Sequence, residues 1–119
     1  MSDATPLSVE RLPREDGVVV LALSGELVVT NRESLRERAE AEFESGARKI
    51  VIAIGGLSHV DTSGLALLVQ LANRCAERGG RLVVAGLVPG AEEMRQSLFL
   101  DEAVVFADGV EDAVAALSG

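Results

Sequence analysis

Residues 50–85 read IVIAIGGLSHVDTSGLALLVQLANRCAERGGRLVVA, with a short apolar segment at each end and a longer amphipathic segment between them. Ile50 to Ile54 and Leu82 to Ala85 are rich in β-branched residues and nearly continuous in apolar character, which is the pattern of strands buried on both faces. From Thr62 to Glu77 apolar residues recur at helical spacing, and a Gly-Gly pair follows. We therefore predict a strand–helix–strand unit with parallel strands and a right-handed crossover.

Two further apolar segments precede this unit and predict strands. Val18 to Leu23 has the same buried-strand pattern, whereas Leu7 to Leu12 alternates and ends at a proline, which suits an antiparallel strand at or near an edge. Residues 30–46 predict an amphipathic helix, because apolar residues recur every four positions among charged neighbours. Thr30 and Glu33 have the spacing of a capping box for its start.

The C-terminal third continues the alternation of helix and strand. Apolar residues after Pro89 predict a short third helix, Ala103 to Phe106 a strand, and Val110 to Leu117 a terminal helix with one apolar face. We therefore predict an α/β protein, a single domain over residues 1–119, with a mixed, mostly parallel central sheet flanked by about four helices. Residues 1–5 precede every predicted element and are a candidate disordered segment.

Charge and composition exclude several classes of function. The 119 residues carry a net charge of −8, 3% are aromatic and basic residues form no run, so the cationic patch and stacking side chains of nucleic-acid-binding proteins are missing. No apolar run approaches the ~20 residues of a membrane span, and the start has no signal-like basic and apolar pattern. The lone cysteine, Cys75, cannot form an intramolecular disulfide. We expect a cytoplasmic protein without membrane insertion or direct nucleic-acid contact.

Few residues can support catalysis or metal binding. His59 is the single histidine, with no cysteine at metal-ligand spacing and no nucleophile beside it, so a loop position is favoured over a catalytic base. Cys75 lies on the apolar stripe of the helix that starts at Thr62, which favours a core position over a reactive thiol. The glycine spacings match neither phosphate-binding template. We predict no enzyme, no cofactor and no metal site, and an enzyme with an unrecognised site stays open as a further alternative.

The polar junction before the second predicted helix is the remaining candidate site, and it consists of Asp61, Thr62, Ser63, Gly64 and Leu65. In one interpretation, the side chain of Asp61 or Thr62 caps the helix by accepting hydrogen bonds from free N–H groups of the first turn. In the other, Ser63 accepts a phosphate, which would lie near the positive end of the helix dipole and beside unpaired N–H groups. A partner docked there would meet about two added negative charges. Phosphorylation is then expected to block binding without unfolding the protein.

The residues at the start of this helix, Leu65 to Val69, are all apolar. The first turns of the helix are thus hydrophobic around more than one face. Either both faces are buried within the protein, or one face contacts a partner. The second possibility would make the helix start a docking surface.

Two motifs carry a family resemblance. Residues 24–27, Ser-Gly-Glu-Leu, follow the early strand, and residues 61–65, Asp-Thr-Ser-Gly-Leu, open the second helix. With these motifs and the order of elements, nearly the whole chain resembles the STAS family, and within it the bacterial anti-sigma factor antagonists. The resemblance implies a STAS fold and a partner that is both an anti-sigma factor and an ATP-binding serine kinase. It further implies that this kinase phosphorylates Ser63, and Thr62 is the second choice for the acceptor. The unphosphorylated form is then expected to bind the kinase through residues 61–65, which frees the sigma factor.

Two positions depart from the family pattern. Many members carry an acidic residue directly after the Gly-Glu-Leu motif and another in the strand before the phosphorylation site, where this chain has Val28 and Ala53. In the family those carboxylates lie near the phosphorylated residue. Their absence would remove local repulsion of a phosphate, and two alternatives follow, modification by an unusual kinase or no modification of the site.

The pattern of Asp61, Thr62, Gly64 and the apolar run from Leu65 is also similar to the STAS subunit of lipid-transport ABC complexes, which docks on the ATPase. Those subunits tend to lack a hydroxyl residue at the place of Ser63. The presence of Ser63 therefore favours the phosphorylation switch, and the transporter subunit is kept as the alternative.

Overall fold

The computed structural model describes residues 6–86 and 105–118, and within these ranges strands alternate with helices. The strands are β1 (Ser8–Leu12), β2 (Val18–Leu27), β3 (Lys49–Val60), β4 (Arg81–Ala85) and β5 (Val105–Ala107), and the helices are α1 (Arg32–Glu44), α2 (Thr62–Glu77) and α3 (Val110–Ser118). The buried strands and the two helices between them lie where the apolar patterns placed them. The predicted helix after Pro89 and residues 1–5 lie outside the described residues.

The described strands form one sheet in the order β1-β2-β3-β4-β5. β1 pairs antiparallel with β2, and each of the other neighbouring pairs is parallel. The turn between β1 and β2 includes Gly17 at φ +81°, a backbone conformation that favours glycine. The predicted α/β class, with a mixed, mostly parallel sheet and β1 at its edge, is thereby confirmed.

Both faces of the sheet are covered by helices. Alternate residues of β3 enter opposite cores, because Ile50, Ile52 and Ile54 pack with α1 and α2, whereas Val51 packs on the side of α3. All four side chains are inaccessible to solvent. A strand between two covered faces needs apolar residues at every position, and this is why the β-branched runs identify the sheet interior.

β2 and β3 extend beyond the apolar runs that predicted them, to Leu27 and Val60, and in this extension they pair with each other. The sequence there is polar and glycine-rich, so it does not match a buried strand. A Cβ on Gly56 would lie 2.6 Å from the carbonyl oxygen of Leu23, so glycine permits this close pairing. Because of this extension, Leu27 at the end of β2 lies beside the start of α2.

The capping box predicted at Thr30 is wrong, because α1 has Asn31 as its N-cap residue. The Asn31 side chain makes no capping bond. It accepts a hydrogen bond from the Val28 N–H (3.0 Å) and donates one to the Glu26 carbonyl (2.9 Å). The polar side chain thus closes the turn between β2 and α1 instead of capping the helix.

Candidate functional site

The junction residues predicted from the sequence lie where β3 ends and α2 begins. Asp61 is the N-cap residue of α2, and its Oδ1 accepts a hydrogen bond from the Gly64 N–H at 2.8 Å. Of the two capping candidates, Asp61 therefore holds the cap, and Thr62 is exposed. The helix starts at Thr62, as its sequence pattern predicted.

Ser63 is half-buried in the first turn of α2. Its hydroxyl donates a hydrogen bond to Oδ1 of Asp61 at 2.7 Å, and its carbonyl oxygen accepts one from Nη1 of Arg32 at 3.2 Å. The interpretation with a phosphate on Ser63 placed it beside unpaired N–H groups of the first turn, but one of these groups, the Gly64 N–H, is bound by Asp61. The Ser63 Oγ, the atom that a phosphate would modify, therefore lies beside the Asp61 carboxylate in the unmodified protein.

Asp61 also joins the start of α2 to the loop before α1. Its Oδ2 accepts a hydrogen bond from the Val29 N–H (3.0 Å), and its own N–H donates to the Leu27 carbonyl (3.1 Å). Partial burial raises the pKa of the Asp61 carboxyl, but hydrogen bonds from the Ser63 hydroxyl and from backbone N–H groups outweigh this effect, so the pKa lies below its ordinary value. The charged carboxylate thus organises the end of β2, the loop and the helix start.

Asp61→Asn is expected to lower the free energy of unfolding at neutral pH by about 1–2 kcal/mol, because an amide accepts these hydrogen bonds more weakly than a carboxylate. The folded-state pKa of Asp61 is lower than its unfolded value of about 3.9, so its contribution is complete above that value and is lost as pH falls through the folded pKa. Urea unfolding at a series of pH values should show that the difference in free energy of unfolding between the parent and Asp61→Asn becomes smaller below about pH 4. A difference that stays constant down to about pH 2 contradicts this role for the carboxylate.

Gly64 lies where α2 packs directly on the end of β2. A Cβ at this position would lie 2.7 Å from the Leu27 carbonyl oxygen, 2.9 Å from the Leu27 Cγ and 3.1 Å from Cγ1 of Val60. Gly64 is buried, and its N–H is the one that Asp61 binds. The glycine of the motif is therefore required for close packing.

The apolar run from Leu65 to Val69 is mostly buried within the protein. Leu67 and Leu68 are inaccessible, and Leu65 and Val69 are partly buried against the same core. Ala66 alone of this run is exposed. Burial within the protein, the first of the two interpretations, therefore accounts for most of the run.

An exposed surface remains around the helix start. Val29 is a large hydrophobic residue that is 62% exposed, and its N–H is bound to Asp61. We refer to Val29, Thr62, Ser63 and Ala66 as the α2-start surface. Sequence reasoning missed Val29, because a short loop segment carries no periodic signal that would identify an exposed apolar residue.

The two positions that depart from the family pattern lie in different places. Val28 is in the loop beside the site, and its carbonyl accepts a hydrogen bond from the Arg32 N–H at 2.9 Å. Ala53 packs on the α3 face of the sheet, opposite the face that α2 covers. An acidic residue at position 28 would thus belong to the loop that leads into α1, whereas one at position 53 would lie on the face of the sheet that α3 covers.

His59 and Cys75 differ in their exposure to solvent. His59 is exposed on β3, opposite Glu26 of β2. Cys75 is buried, and burial raises the pKa of its thiol.

Within residues 6–86 and 105–118, no three His, Cys, Asp or Glu side chains are grouped to hold a metal ion. Across the same described ranges, no helix is long and apolar enough to cross a bilayer.

Strands β2 to β5 and the start of α2 lie within a stretch of the chain that a protein-family model matches. The STAS domain family model matches residues 11–113, so the chain belongs to that family. A curated relative, BtrV of Bordetella bronchiseptica, is named as an anti-sigma factor antagonist. It is 28% identical over 79 residues, which cover 66% of this chain and 68% of BtrV.

Solved structures share the fold. An anti-sigma factor antagonist from Mycobacterium paratuberculosis has a TM-score of 0.82 at 19% identity, over 95% of each chain. The phosphorylated form of the Bacillus cell fate determinant SpoIIAA has a TM-score of 0.70 at 23% identity, over 92% of this chain and 98% of that one. At these identities the likeness establishes the fold alone.

Proposed function

We propose that this protein is an anti-sigma factor antagonist that is switched by phosphorylation. The unphosphorylated form binds an anti-sigma factor that is also an ATP-dependent serine kinase, and the sigma factor is released. Phosphorylation of Ser63 abolishes this binding. The observation that carries the proposal is the half-buried Ser63 hydroxyl in the first turn of α2, 2.7 Å from the Asp61 carboxylate.

The relatives support the regulatory class. BtrV and the M. paratuberculosis protein are both named as anti-sigma factor antagonists, and SpoIIAA exists in a phosphorylated form. In this chain the helix start offers two hydroxyl residues, Thr62 and Ser63, at the edge of an exposed surface. A phosphate acceptor at such a place can alter a protein interface without disturbing a buried core.

The geometry explains how one modification would change binding. The unmodified Ser63 hydroxyl is neutral and donates to Asp61, so it compensates part of the carboxylate charge. A phosphate adds about two negative charges beside that carboxylate. A partner that covers the α2-start surface, with Val29 as an apolar contact, would have to desolvate both anionic groups. The unphosphorylated protein is therefore the binding form.

In this proposal the protein is not a catalyst and needs no cofactor. The kinase binds the ATP and any metal ion. A bond forms between Ser63 Oγ and the γ-phosphorus of ATP as the bond from that phosphorus to the ADP oxygen breaks, so ADP leaves, and the hydroxyl proton passes to a base of the kinase. The protein acts in the cytoplasm through contact with another protein, with no direct contact to nucleic acid.

Ser63→Ala is expected to abolish incorporation of phosphate by the cognate kinase, because the acceptor oxygen is lost while the bond from Gly64 N–H to Asp61 is kept. Thr62→Ala is the matched control, since Thr62 is the neighbouring, exposed hydroxyl residue. It should be labelled at the parental level in an assay with radiolabelled ATP. Labelling that persists in Ser63→Ala and disappears in Thr62→Ala would move the acceptor to Thr62.

Purification of the tagged protein from its native cells tests the identity of the partner. We expect recovery of an anti-sigma factor with serine-kinase activity. The STAS subunit of a lipid-transport ABC complex is the alternative, which does not require the Ser63 hydroxyl. Recovery of an ABC ATPase would overturn the proposal.

A further inference from the structure

A phosphate on Ser63 would be held in an unfavourable electrostatic environment unless a cation reaches it. The Ser63 Oγ is 2.7 Å from Oδ1 of Asp61, and the other carboxylate oxygen is bound by the Val29 N–H. Phosphorylation removes the O–H donor and places a dianion beside this carboxylate. Like charges in a partly buried site repel each other, so the modified protein needs a compensating charge. The positive end of the α2 dipole supplies only part of it, because the Gly64 N–H is already bound to Asp61.

Arg32 is placed to supply that charge. It is half-buried in the first turn of α1, and its Nη1 donates to the Ser63 carbonyl oxygen at 3.2 Å. The backbone of Arg32 is fixed by a hydrogen bond from its N–H to the Val28 carbonyl at 2.9 Å. The carbonyl that Arg32 contacts and the hydroxyl that would be modified belong to one residue. A rotation of side-chain torsions can therefore bring the guanidinium to a phosphate on Oγ.

We infer that Arg32 is a positioning residue that binds a phosphate on Ser63 within the chain. This inference rests on the proposed phosphorylation of Ser63. In the unmodified protein the guanidinium connects α1 to α2 through the Ser63 carbonyl. In the modified protein it pairs with the phosphate oxygens, for which its planar arrangement of N–H donors is suited. The Arg32 charge offsets the repulsion between the phosphate and the Asp61 carboxylate, and the ion pair keeps the phosphate at the α2-start surface.

Phosphoserine incorporated at position 63 by genetic code expansion tests the inference without a kinase or a partner. A failure of the proposed function therefore does not affect the result. A pH titration followed by phosphorus NMR gives the second pKa of the phosphate, which is ordinarily about 6. Arg32→Gln should raise this pKa by about 1, because loss of a nearby cation disfavours the dianion. Arg32→Lys should raise it less, because the charge is kept and the paired N–H geometry is lost.

Arg36→Gln is the matched control for the loss of one positive charge from α1. The Arg36 guanidinium contacts Gln70 and Glu33 instead of Ser63, so this change should leave the phosphate pKa within about 0.2 of the parent value. The ends of β2 and β3 and the starts of α1 and α2 carry other titratable residues, and none of these is substituted in any variant. They are Glu26, Glu33, His59 and Asp61. Equal changes in Arg32→Gln and Arg36→Gln, or no change in either, would overturn the inference.

Thermal unfolding distinguishes phosphate binding from a purely structural connection between α1 and α2. A structural connection makes Arg32→Gln lower Tm equally whether residue 63 carries a hydroxyl or a phosphate. Phosphate binding makes the loss larger in the phosphorylated protein, by about 4 °C or more. Equal losses contradict the inference, and the comparison with Arg32→Lys provides the same test if the glutamine variant does not fold.

Discussion

Ser63→Asp is expected to weaken binding of the anti-sigma factor on the order of 100-fold, because an unpaired charge desolvated at an interface costs about 2–5 kcal/mol. The new carboxylate would lie within the α2-start surface, beside Val29 and Thr62. Titration calorimetry with the partner recovered from native cells measures the change. A phosphate carries about twice this charge, so the modification itself should weaken binding further.

The same substitution should lower the free energy of unfolding by about 1 kcal/mol, a cost that the sequence alone did not reveal. The donor to Asp61 is lost and two carboxylates face each other, while Arg32 and the helix dipole oppose the repulsion. Ser45→Asp is the matched control, since Ser45 is exposed and follows α1 at its far end, about 20 Å from the first turn. It should leave the affinity within about twofold. Equal affinities of the two variants would falsify the proposed docking surface.

Gly64→Ala is expected to destabilise the protein by about 3 kcal/mol, although alanine is normally preferred to glycine in a helix by about 1 kcal/mol. The added Cβ would lie 2.7 Å from the Leu27 carbonyl oxygen and 2.9 Å from the Leu27 Cγ. Leu27 belongs to a strand that is paired with β3, so it cannot move aside freely. Relief of the clash requires α2 to shift from the sheet, which disturbs packing around Leu67 and Leu68. Calorimetry should show Tm lower by roughly 10–15 °C.

Ala66→Gly is the control for helix propensity on the same helix. Ala66 is exposed, so the change should cost about 1 kcal/mol through backbone entropy alone. At position 64 the propensity effect and the clash have opposite signs, which makes the result easy to interpret. A Gly64→Ala protein as stable as the parent would show that α2 does not approach β2 as closely as described.

The central elements could be predicted from the sequence because their signals are local. The bounds of α2 follow from helical spacing of apolar residues, a polar cap and a glycine pair, and the interior of β3 follows from its β-branched run. The extension of β2 to Leu27 could not be predicted, since a polar, glycine-rich segment becomes a strand only when a neighbouring strand is available to pair with it. The capping box at Thr30 failed because the turn closed by Asn31 competes for the same segment.

The class of fold, the start of the second helix and the choice of Ser63 as the candidate acceptor could all be predicted before any contact was known. Hydrophobic periodicity and cap chemistry arise between neighbouring residues, so a single chain displays them directly. The three-dimensional contacts were needed to show that Asp61, not Thr62, is the cap, that Asp61 also binds the Val29 N–H, and that Arg32 reaches Ser63. The contacts of Asp61 with Val29 and of Arg32 with Ser63 join segments about thirty residues apart. They depend on the register of β2 against β3 and on the packing of α1 beside α2, which no local pattern encodes.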